Sequence, residues 1–334
     1  MENSPRTTFM QPESSQQRVR LFHFNDFHRR LAPFKGGEGG ADRLVGKIKQ
    51  LEGENPGAIT LNVGDSTGDN TTQGLDHFQP IPELFNEAGV DIMGLGNHEF
   101  EDPKNGYQSL EQGLIKPFKG EVLVANVRHE DGRPIAGTKP YTIRQLQNHA
   151  IAFIGVVTRD LASSVFPAAG AALTSLPIEE TLREMVAEVR EKGAQGVVVL
   201  AHDNLNNSKE IARNVPGVDL VFAAHDHRAT EQPEEVVRAD GSRAWVAEAD
   251  AYGRAVGQAD LLFEDGKVVD VEGLLHSVDQ SSPSDPEAAN IVKSYQPRER
   301  VKMSPKPPTK TVSLNSLADL ALHFPNLAQE GTNP

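Results

Sequence analysis

Histidine, aspartate and asparagine side chains follow predicted β-strands at several points in the first two-thirds of the chain. They lie in five segments: Asp26 and His28; Asp65; Asn97 and His98; His202; and His225 and His227. Loops at the carboxyl ends of strands in an α/β sheet converge and form the usual ligand site. Imidazole, carboxylate and amide groups together suit zinc, iron, manganese or cobalt. The sequence therefore predicts a metal site at one edge of a sheet.

The spacing of these residues supports a shared site. Asp26 and His28 are two positions apart, as are His225 and His227. Alternate side chains of an extended segment point to the same side, so both members of each pair can reach one metal cluster. Gly64 precedes Asp65 where a tight turn from strand to loop is expected, and glycine permits such a turn at low cost.

Strand and helix patterns alternate over most of the chain. Strands are predicted at residues 19–25, 58–63, 91–95, 122–125, 141–144, 150–157, 196–201 and 218–224. Helices are predicted at residues 41–51, 81–88, 178–191 and 285–300. Short alternating strands follow at residues 236–238, 244–247, 256–263 and 267–272. This pattern indicates an α/β domain with helices outside a large sheet structure and antiparallel hairpins near its end.

Composition excludes several classes of protein. The 334 residues carry a net charge of −14, which argues against binding a nucleic-acid polymer. Cysteine is absent, so disulfides, thiolate metal sites and cysteine nucleophiles are excluded. No apolar run approaches the ~18 residues of a membrane helix, so we expect no membrane partner. Residues 1–17 show no export signal, which makes the cytoplasm the expected location. The oligomeric state stays open.

The ordered blocks carry a family resemblance. They read Asp26-Phe27-His28, Gly64-Asp65, Gly96-Asn97-His98-Glu99, His202 and His225-Asp226-His227. This order resembles the signature of calcineurin-like metallophosphoesterases, and most closely the catalytic domain of the 5′-nucleotidase and 2′,3′-cyclic phosphodiesterase branch. The resemblance runs from about Val19 to residue 300. It implies an α/β (α+β) fold, a four-layer αββα sandwich of two mixed sheets flanked by helices.

The resemblance also implies two divalent metal ions. We expect manganese, with zinc, iron or cobalt as alternatives. The implied ligands of the first ion are Asp26, His28, Asp65 and His227. The implied ligands of the second ion are Asp65, Asn97, His202 and His225. Asp65 would bridge the two ions.

The same resemblance assigns catalytic roles. A hydroxide that bridges the two ions would attack phosphorus, and His98 would protonate the leaving oxygen. Glu101 stands where the family usually has an aspartate that orients this histidine. Arg29 replaces a usual glycine, and we group it with Asn97 and His98 as residues that could contact substrate. Ala224, Asp203 and Asn204 also depart from the family pattern, but none of these departures removes a ligand. We expect Asn204 to cap a helix that follows it, with a place in the pocket as the alternative.

The expected function is hydrolysis of a small phosphate ester, a nucleotide or cyclic nucleotide. The alternatives are a phosphatase for another small phosphate ester and a non-catalytic binding scaffold. We expect a disordered arm at 1–17, a catalytic domain at 18–302, and a Pro-rich linker and tail at 303–334. The second, C-terminal domain that usually recognises the nucleoside is not expected. The remaining histidines are predicted to be structural: His23, His77, His129, His149, His276 and His323.

Overall fold

The computed structural model of the chain describes residues 17–68, 76–102, 109–159, 161 and 173–295. The predicted tail (303–334) and the predicted arm, except for Gln17, lie outside these residues. The strands, in chain order, are β1 (Gln17–Phe24), β2 (Ile59–Asn62), β3 (Ile92–Gly94), β4 (Glu121–Leu123), β5 (Val127–His129), β6 (Tyr141–Leu146), β7 (His149–Val157), β8 (Leu173–Ser175), β9 (Gly196–His202), β10 (Leu220–Phe222), β11 (Glu234–Val237), β12 (Arg243–Ala247), β13 (Ala255–Glu264) and β14 (Lys267–Ser277). The α-helices are α1 (Ala41–Glu54), α2 (Ile81–Ala88), α3 (Ile178–Glu191), α4 (Leu205–Asn214) and α5 (Pro286–Tyr295).

Two mixed six-stranded sheets carry the fold. The first has the order β14-β13-β1-β2-β3-β4, and the second has the order β11-β12-β10-β9-β7-β6. Strands β1 to β4 are parallel, as are β7, β9, β10 and β12, whereas the outer hairpin strands run antiparallel. A separate pair joins β5 and β8. The predicted ligands follow or end five of these parallel strands, β1, β2, β3, β9 and β10.

Three apolar clusters separate the layers. One lies between the sheets and includes Leu61, Phe153 and Phe222. A second packs α1, α2 and α5 on the first sheet, and a third packs α3 and α4 on the second sheet. The predicted sandwich of two mixed sheets flanked by helices is therefore confirmed.

The apolar spacing of the helices explains which face is buried. In α1, Leu44, Val45, Ile48 and Leu51 recur at helical intervals and all are buried. Helices α2 and α3 have the predicted bounds. Helix α5 begins at Pro286 and extends to Tyr295, and the rest of the predicted helix, residues 296–300, lies outside the described residues.

Several elements differ from the sequence prediction, among them helix α4 and strand β14. Helix α4 was predicted only as a helix that Asn204 could cap; its sequence LNNSKEIARN is polar, and its buried apolar residues are few. Strand β14 continues five residues beyond the predicted end, to Ser277. It does so because it pairs along its length with β13, including Ser277 opposite Ala255. Pairing with a long neighbour satisfies backbone groups that the local sequence pattern does not reveal.

Candidate metal centre

The predicted ligands meet where the two sheets present their carboxyl ends. Asp26 and His28 follow β1, and Asp65 follows β2. From the second sheet, His202 ends β9, and His225 and His227 follow β10. The site therefore forms only when the two sheets pack face to face.

The first cluster combines ligands from both sheets. Asp26 Oδ1 lies 3.6 Å from His28 Nε2 and 3.5 Å from His227 Nε2. The two Nε2 atoms are 2.9 Å apart. One ligand atom from each of these three residues lies within 4.8 Å of the others. These are three of the four residues expected to hold the first ion.

The second cluster contains Asp65, His202 and His225, whose ligand atoms also lie within 4.8 Å of one another. His202 Nε2 is 3.0 Å from Asp65 Oδ2. Asp65 belongs as well to a group with His28 and His98. Asp65 thus lies between the two clusters, which is the position a bridging carboxylate requires.

The donor set fits divalent metal ions. Asp26 Oδ1 and Asn97 Oδ1 are buried and have no hydrogen-bond partner among the described residues. Buried polar atoms rarely lack a partner, so two such oxygens beside buried imidazoles call for a cation. The Asn97 amide nitrogen faces Glu101 Oε1 at 3.4 Å, which leaves its oxygen for the site. Nitrogen and oxygen ligands without sulfur are compatible with manganese, zinc, iron and cobalt.

Charge at the site favours cations. Burial alone would lower the pKa of His202, but the nearby carboxylate of Asp65 outweighs burial and raises this pKa to about 10. Burial would raise the pKa of Asp65, but the charge of His202 and its hydrogen bond hold this pKa well below the usual range. The site therefore stabilises positive charge at its buried centre.

Left-handed backbone conformations position most of the ligands. The φ angles are 48° at Asp26, His28 and Asp65, 80° at His225 and 57° at His227. Such conformations cost about 1–3 kcal/mol each for residues other than glycine and concentrate at functional sites. Main-chain hydrogen bonds hold the first two loops together, from Asp26 N to Gly64 O (3.1 Å) and from His28 N to Asp65 O (3.0 Å).

Two glycines allow the loops to approach each other. A Cβ atom at Gly96 would lie 2.1 Å from Asp65 Oδ1, and one at Gly64 would lie 2.5 Å from Gly96 N. Gly64 also has a φ of +90°. The close contact between these loops places Asp65 beside Asn97.

Glu99 is a buried positioning residue whose role the sequence analysis missed. Its carboxylate accepts hydrogen bonds from the backbone N–H groups of Asp65, Ser66, Thr67 and Gly96, at 2.7–3.1 Å. One fully buried carboxylate thus ties the loop of the central aspartate to the loop of Asn97 and His98. The only signal in the sequence was its place in the Gly-Asn-His-Glu block.

His98 and Glu101 form the predicted pair. A short 3₁₀ helix, His98–Phe100, brings His98 Nδ1 to 2.6 Å from Glu101 Oε2. His98 Nε2 is then 3.9 Å from Asp65 Oδ2, at the edge of the metal cluster. Burial alone would lower the pKa of His98, but the hydrogen bond to Glu101 and the charge of Asp65 raise it to about 9. His98 can therefore hold a proton beside the site at neutral pH.

Arg29, predicted as a residue that could contact substrate, binds the main chain of a neighbouring loop. Its guanidinium group is buried, and Nη1 donates to the backbone oxygens of Asp76 (2.9 Å) and His77 (3.1 Å). Arg29 also has a φ of 53°, which explains why glycine is usual at this position. Arg29 thus holds the main chain of a neighbouring loop, and its contact with substrate stays a prediction.

Several histidines outside the two clusters have other partners among the described residues, whereas the predicted structural His323 lies outside those residues. His23 stacks on Phe222 and His149 stacks on Phe263, with ring centroids 4.0 and 3.9 Å apart. Burial lowers the pKa of His23 to about 3, so His23 is neutral. His77 has a structural contact as well, because its Nε2 atom lies 2.8 Å from the backbone oxygen of His98. His77 thus supports the segment that carries the proposed acid.

The remaining departures are structural. The side chain of Asn204 accepts a hydrogen bond from Asn207 N (2.9 Å) and caps α4, as predicted. Asp203 is buried, accepts from Asn207 Nδ2 and pairs with Arg159 at 3.2 Å. Ala224 is also fully buried. None of these three residues displaces a ligand.

Comparison with known proteins identifies the family to which this site belongs. Residues 19–229 match the family model described as calcineurin-like phosphoesterase. The chain is a member of this family, whose enzymes use a dinuclear divalent metal site. Among the described residues, no helix combines the length and apolar character needed to cross a lipid bilayer.

Individual relatives are 5′-nucleotidases. The chain is 26% identical over 271 residues to a probable 5′-nucleotidase of Treponema pallidum, covering 73% of this chain and 45% of that protein. It is 25% identical over 305 residues to the 5′-nucleotidase of Bos taurus, covering 82% and 52%. The chain thus spans about half the length of these curated relatives. A 5′-nucleotidase precursor structure from Thermus thermophilus shares the fold, with a TM-score of 0.74, 23% identity, and coverage of 83% and 58%.

Proposed function

We propose that this chain hydrolyses small phosphate esters at a dinuclear metal centre, with nucleotides or cyclic nucleotides as the preferred class. The observation that carries the proposal is the position of the His98–Glu101 pair beside Asp65, which lies between the two ligand clusters. The 5′-nucleotidase relatives support the substrate class. We assign the activity to a catalytic domain at residues 18–302.

We propose two sets of metal-holding residues, which share Asp65. The first set is Asp26, His28, Asp65 and His227, and the second set is Asp65, Asn97, His202 and His225. When bound, divalent ions supply a Lewis acid and lower the pKa of a bound water. We propose manganese as the physiological metal, with zinc, iron and cobalt as alternatives.

The proposed role of His98 follows from its hydrogen bond. Because an ionised carboxylate is only an acceptor, Nδ1 of His98 carries a hydrogen, and this N–H donates a hydrogen bond to Glu101. This orientation leaves Nε2 facing the cluster, where it can protonate the leaving oxygen of an ester. Asn97 and His98 are the proposed residues in contact with the phosphate group. Glu101 is a positioning residue, because it acts through His98.

The acidic chain limits the size of the substrate. The net charge of −14 repels long polyanions, whereas a small ester can reach a locally cationic site. A nucleic-acid polymer is therefore not proposed as a substrate. A location in the cytoplasm stays a prediction from the sequence.

The direct test is phosphate release from a substrate panel. The purified protein, loaded in turn with manganese, zinc, cobalt or iron, is given 5′-nucleotides, 2′,3′-cyclic nucleotides, sugar phosphates and p-nitrophenyl esters. We expect turnover that a chelator abolishes. Turnover of sugar phosphates alone would favour the alternative of another small-ester phosphatase. Metal binding without turnover of any ester would favour the non-catalytic scaffold and contradict our proposal.

A further inference from the structure

An aromatic side chain from the loop between β12 and β13 lies directly against the first ligand cluster. The ring of Tyr252 is 5.3 Å from the ring of His28 and 5.0 Å from that of His227, between centroids. Its backbone N–H donates to Asp26 O at 2.7 Å, and its φ is 63°. A bulky residue in the left-handed region is unusual and requires local support. The backbone thus holds this half-buried ring at the metal centre.

A second half-buried aromatic ring adjoins Tyr252. The ring of Phe34 lies 5.9 Å from that of Tyr252 in an edge-to-face arrangement. Phe34 belongs to the glycine-rich loop before α1, and its backbone N–H donates to Glu38 O at 2.8 Å. In the same loop, a Cβ atom at Gly39 would lie 3.1 Å from Tyr252 O. The glycine-rich loop therefore packs closely enough to bring the two rings together.

The guanidinium groups of two arginines lie beside the rings of Phe34 and Tyr252. The Arg30 guanidinium carbon lies 4.0 Å from the Phe34 ring centroid. Arg254 lies 5.7 Å from the Phe34 ring and 5.8 Å from the Tyr252 ring, and it pairs with Asp250. Within the described ranges, no carboxylate pairs with Arg30, and Arg30 Nε is buried without a hydrogen-bond partner. The positive charge of Arg30 is therefore held beside the Phe34 ring without a carboxylate partner.

We propose that Phe34, Tyr252, Arg30 and Arg254 form a subsite that binds the nucleobase of a nucleoside monophosphate. The inference rests on the proposed function, because the phosphate of the same substrate would occupy the metal centre. Aromatic rings and guanidinium planes are the side chains on which nucleobases stack, whatever the base. The subsite therefore selects esters with an aromatic base over esters of plain sugars, with weak preference among bases.

Two substrates that differ only in the base test this subsite. Adenosine 5′-monophosphate and ribose 5-phosphate present the same phosphate on the same sugar carbon. We expect kcat/KM to be higher for the nucleotide, because one base–aromatic stack contributes about 5- to 150-fold. In the Phe34→Ala variant, the ratio of the two kcat/KM values should fall by about fivefold or more. Phe34→Tyr should restore the ratio, because tyrosine keeps an aromatic ring.

A matched control is available on the edge strand β6. Tyr141 carries a similar cation–aromatic contact, with Lys192 Nζ 5.2 Å from its ring centroid, but it is not part of the subsite. The Tyr141→Ala variant should keep the wild-type ratio. A wild-type ratio near one, or an equal loss for both substrates in Phe34→Ala, would overturn the subsite. Failure to hydrolyse either substrate would instead contradict the proposed function.

A binding measurement covers the case in which Phe34→Ala does not fold. Ribose 5-phosphate hydrolysis by the wild-type enzyme is followed with adenosine or ribose added as inhibitor. We expect adenosine to inhibit competitively at concentrations at which ribose has no effect. Equal inhibition by the two compounds, or none by adenosine, would overturn the proposed subsite.

Discussion

His98 Nδ1 and Glu101 Oε2 are 2.6 Å apart across one turn of a 3₁₀ helix. The usual aspartate of the family is one methylene shorter than this glutamate, yet the contact forms. Because Nδ1 is engaged by Glu101, the opposite nitrogen, Nε2, is turned toward Asp65. The orientation and the proton affinity of the proposed acid thus depend on the same hydrogen bond.

Removing the Glu101 charge should change the pH dependence of turnover. The pKa of His98 is raised to about 9, in large part by Glu101, so the acid form persists at neutral pH and is lost as pH rises through this value. In Glu101→Gln the pKa of His98 falls, and the alkaline limb of the kcat profile should move to lower pH. Glu101→Asp should keep most of the wild-type profile. An unchanged alkaline limb in Glu101→Gln would contradict this role.

Two variants should distinguish residues that bind metal from the residue that transfers a proton. Asp65→Ala removes the carboxylate that we propose both metal ions share, so we expect loss of bound metal and of activity. His98→Ala should retain metal and lose about 10²- to 10⁴-fold in kcat, as expected of a general acid. Metal content is measured by mass spectrometry after dialysis, with the exposed-turn variant Asp240→Asn as control. Loss of metal from His98→Ala would make His98 a ligand instead.

Gly96 should tolerate no side chain. A Cβ atom would lie 2.1 Å from Asp65 Oδ1, so Gly96→Ala must displace the proposed bridging residue. We expect weaker metal binding and at least a tenfold loss of kcat, which is about 1.4 kcal/mol of transition-state stabilisation. Gly53→Ala in α1 is the matched control, since its Cβ meets nothing within 4 Å and alanine favours the helix. Wild-type metal affinity in Gly96→Ala would show that the loops can move apart.

The buried carboxylate of Glu99 should contribute to stability as well as to the site. Glu99→Gln removes the negative charge of the carboxylate that accepts hydrogen bonds from four backbone N–H groups. Hydrogen bonds to charged groups contribute about 1.5–3 kcal/mol, so a loss of about 2 kcal/mol or more in unfolding free energy is expected. Urea unfolding measures this loss, and Glu180→Gln, at an exposed position, is the control. Equal urea midpoints for Glu99→Gln and the wild type would refute the positioning role.

Glu248 should make the protein less stable as pH rises. It is fully buried; Oε1 accepts from Arg228 N at 2.8 Å, and Oε2 has no partner among the described residues. Burial and the nearby charge of Asp226 raise the pKa of Glu248 to about 9. The pKa of Glu248 is thus higher in the folded state than in the unfolded state. The free energy of unfolding is therefore unaffected by this group below its unfolded pKa. It falls as the pH rises from that value toward 9, by at most about 1.4 kcal/mol per pH unit.

Replacing Glu248 tests this dependence. Glu248→Gln removes the titrating proton, so the variant should gain stability relative to the wild type at pH 8 and much less at pH 5. Urea unfolding in a chelating buffer at the two pH values measures the difference. The exposed control Glu130→Gln should follow the wild type. A variant that loses the same stability as the wild type between pH 5 and pH 8 would contradict the raised pKa.

Local patterns in the sequence were sufficient to predict most elements and the segments that carry the candidate ligands. Helical and strand periodicities are local properties, so α2 and α3 have their predicted bounds. Ligands that follow strands reach a common edge because parallel strands share a direction. The bounds of helix α4 were not predicted, because its buried face contains only a few apolar residues.

Only the tertiary structure decided which atoms meet. His28 and His227 are separated by 199 positions in the chain, yet packing of the two sheets brings their Nε2 atoms to 2.9 Å. The same packing turned Arg29 toward backbone carbonyls and placed Tyr252 against the ligands. Residue types and spacing determine what a segment can bind, because that chemistry is local. The distances, burial and pKa values of the site depend on contacts between the two sheets, which no local pattern encodes.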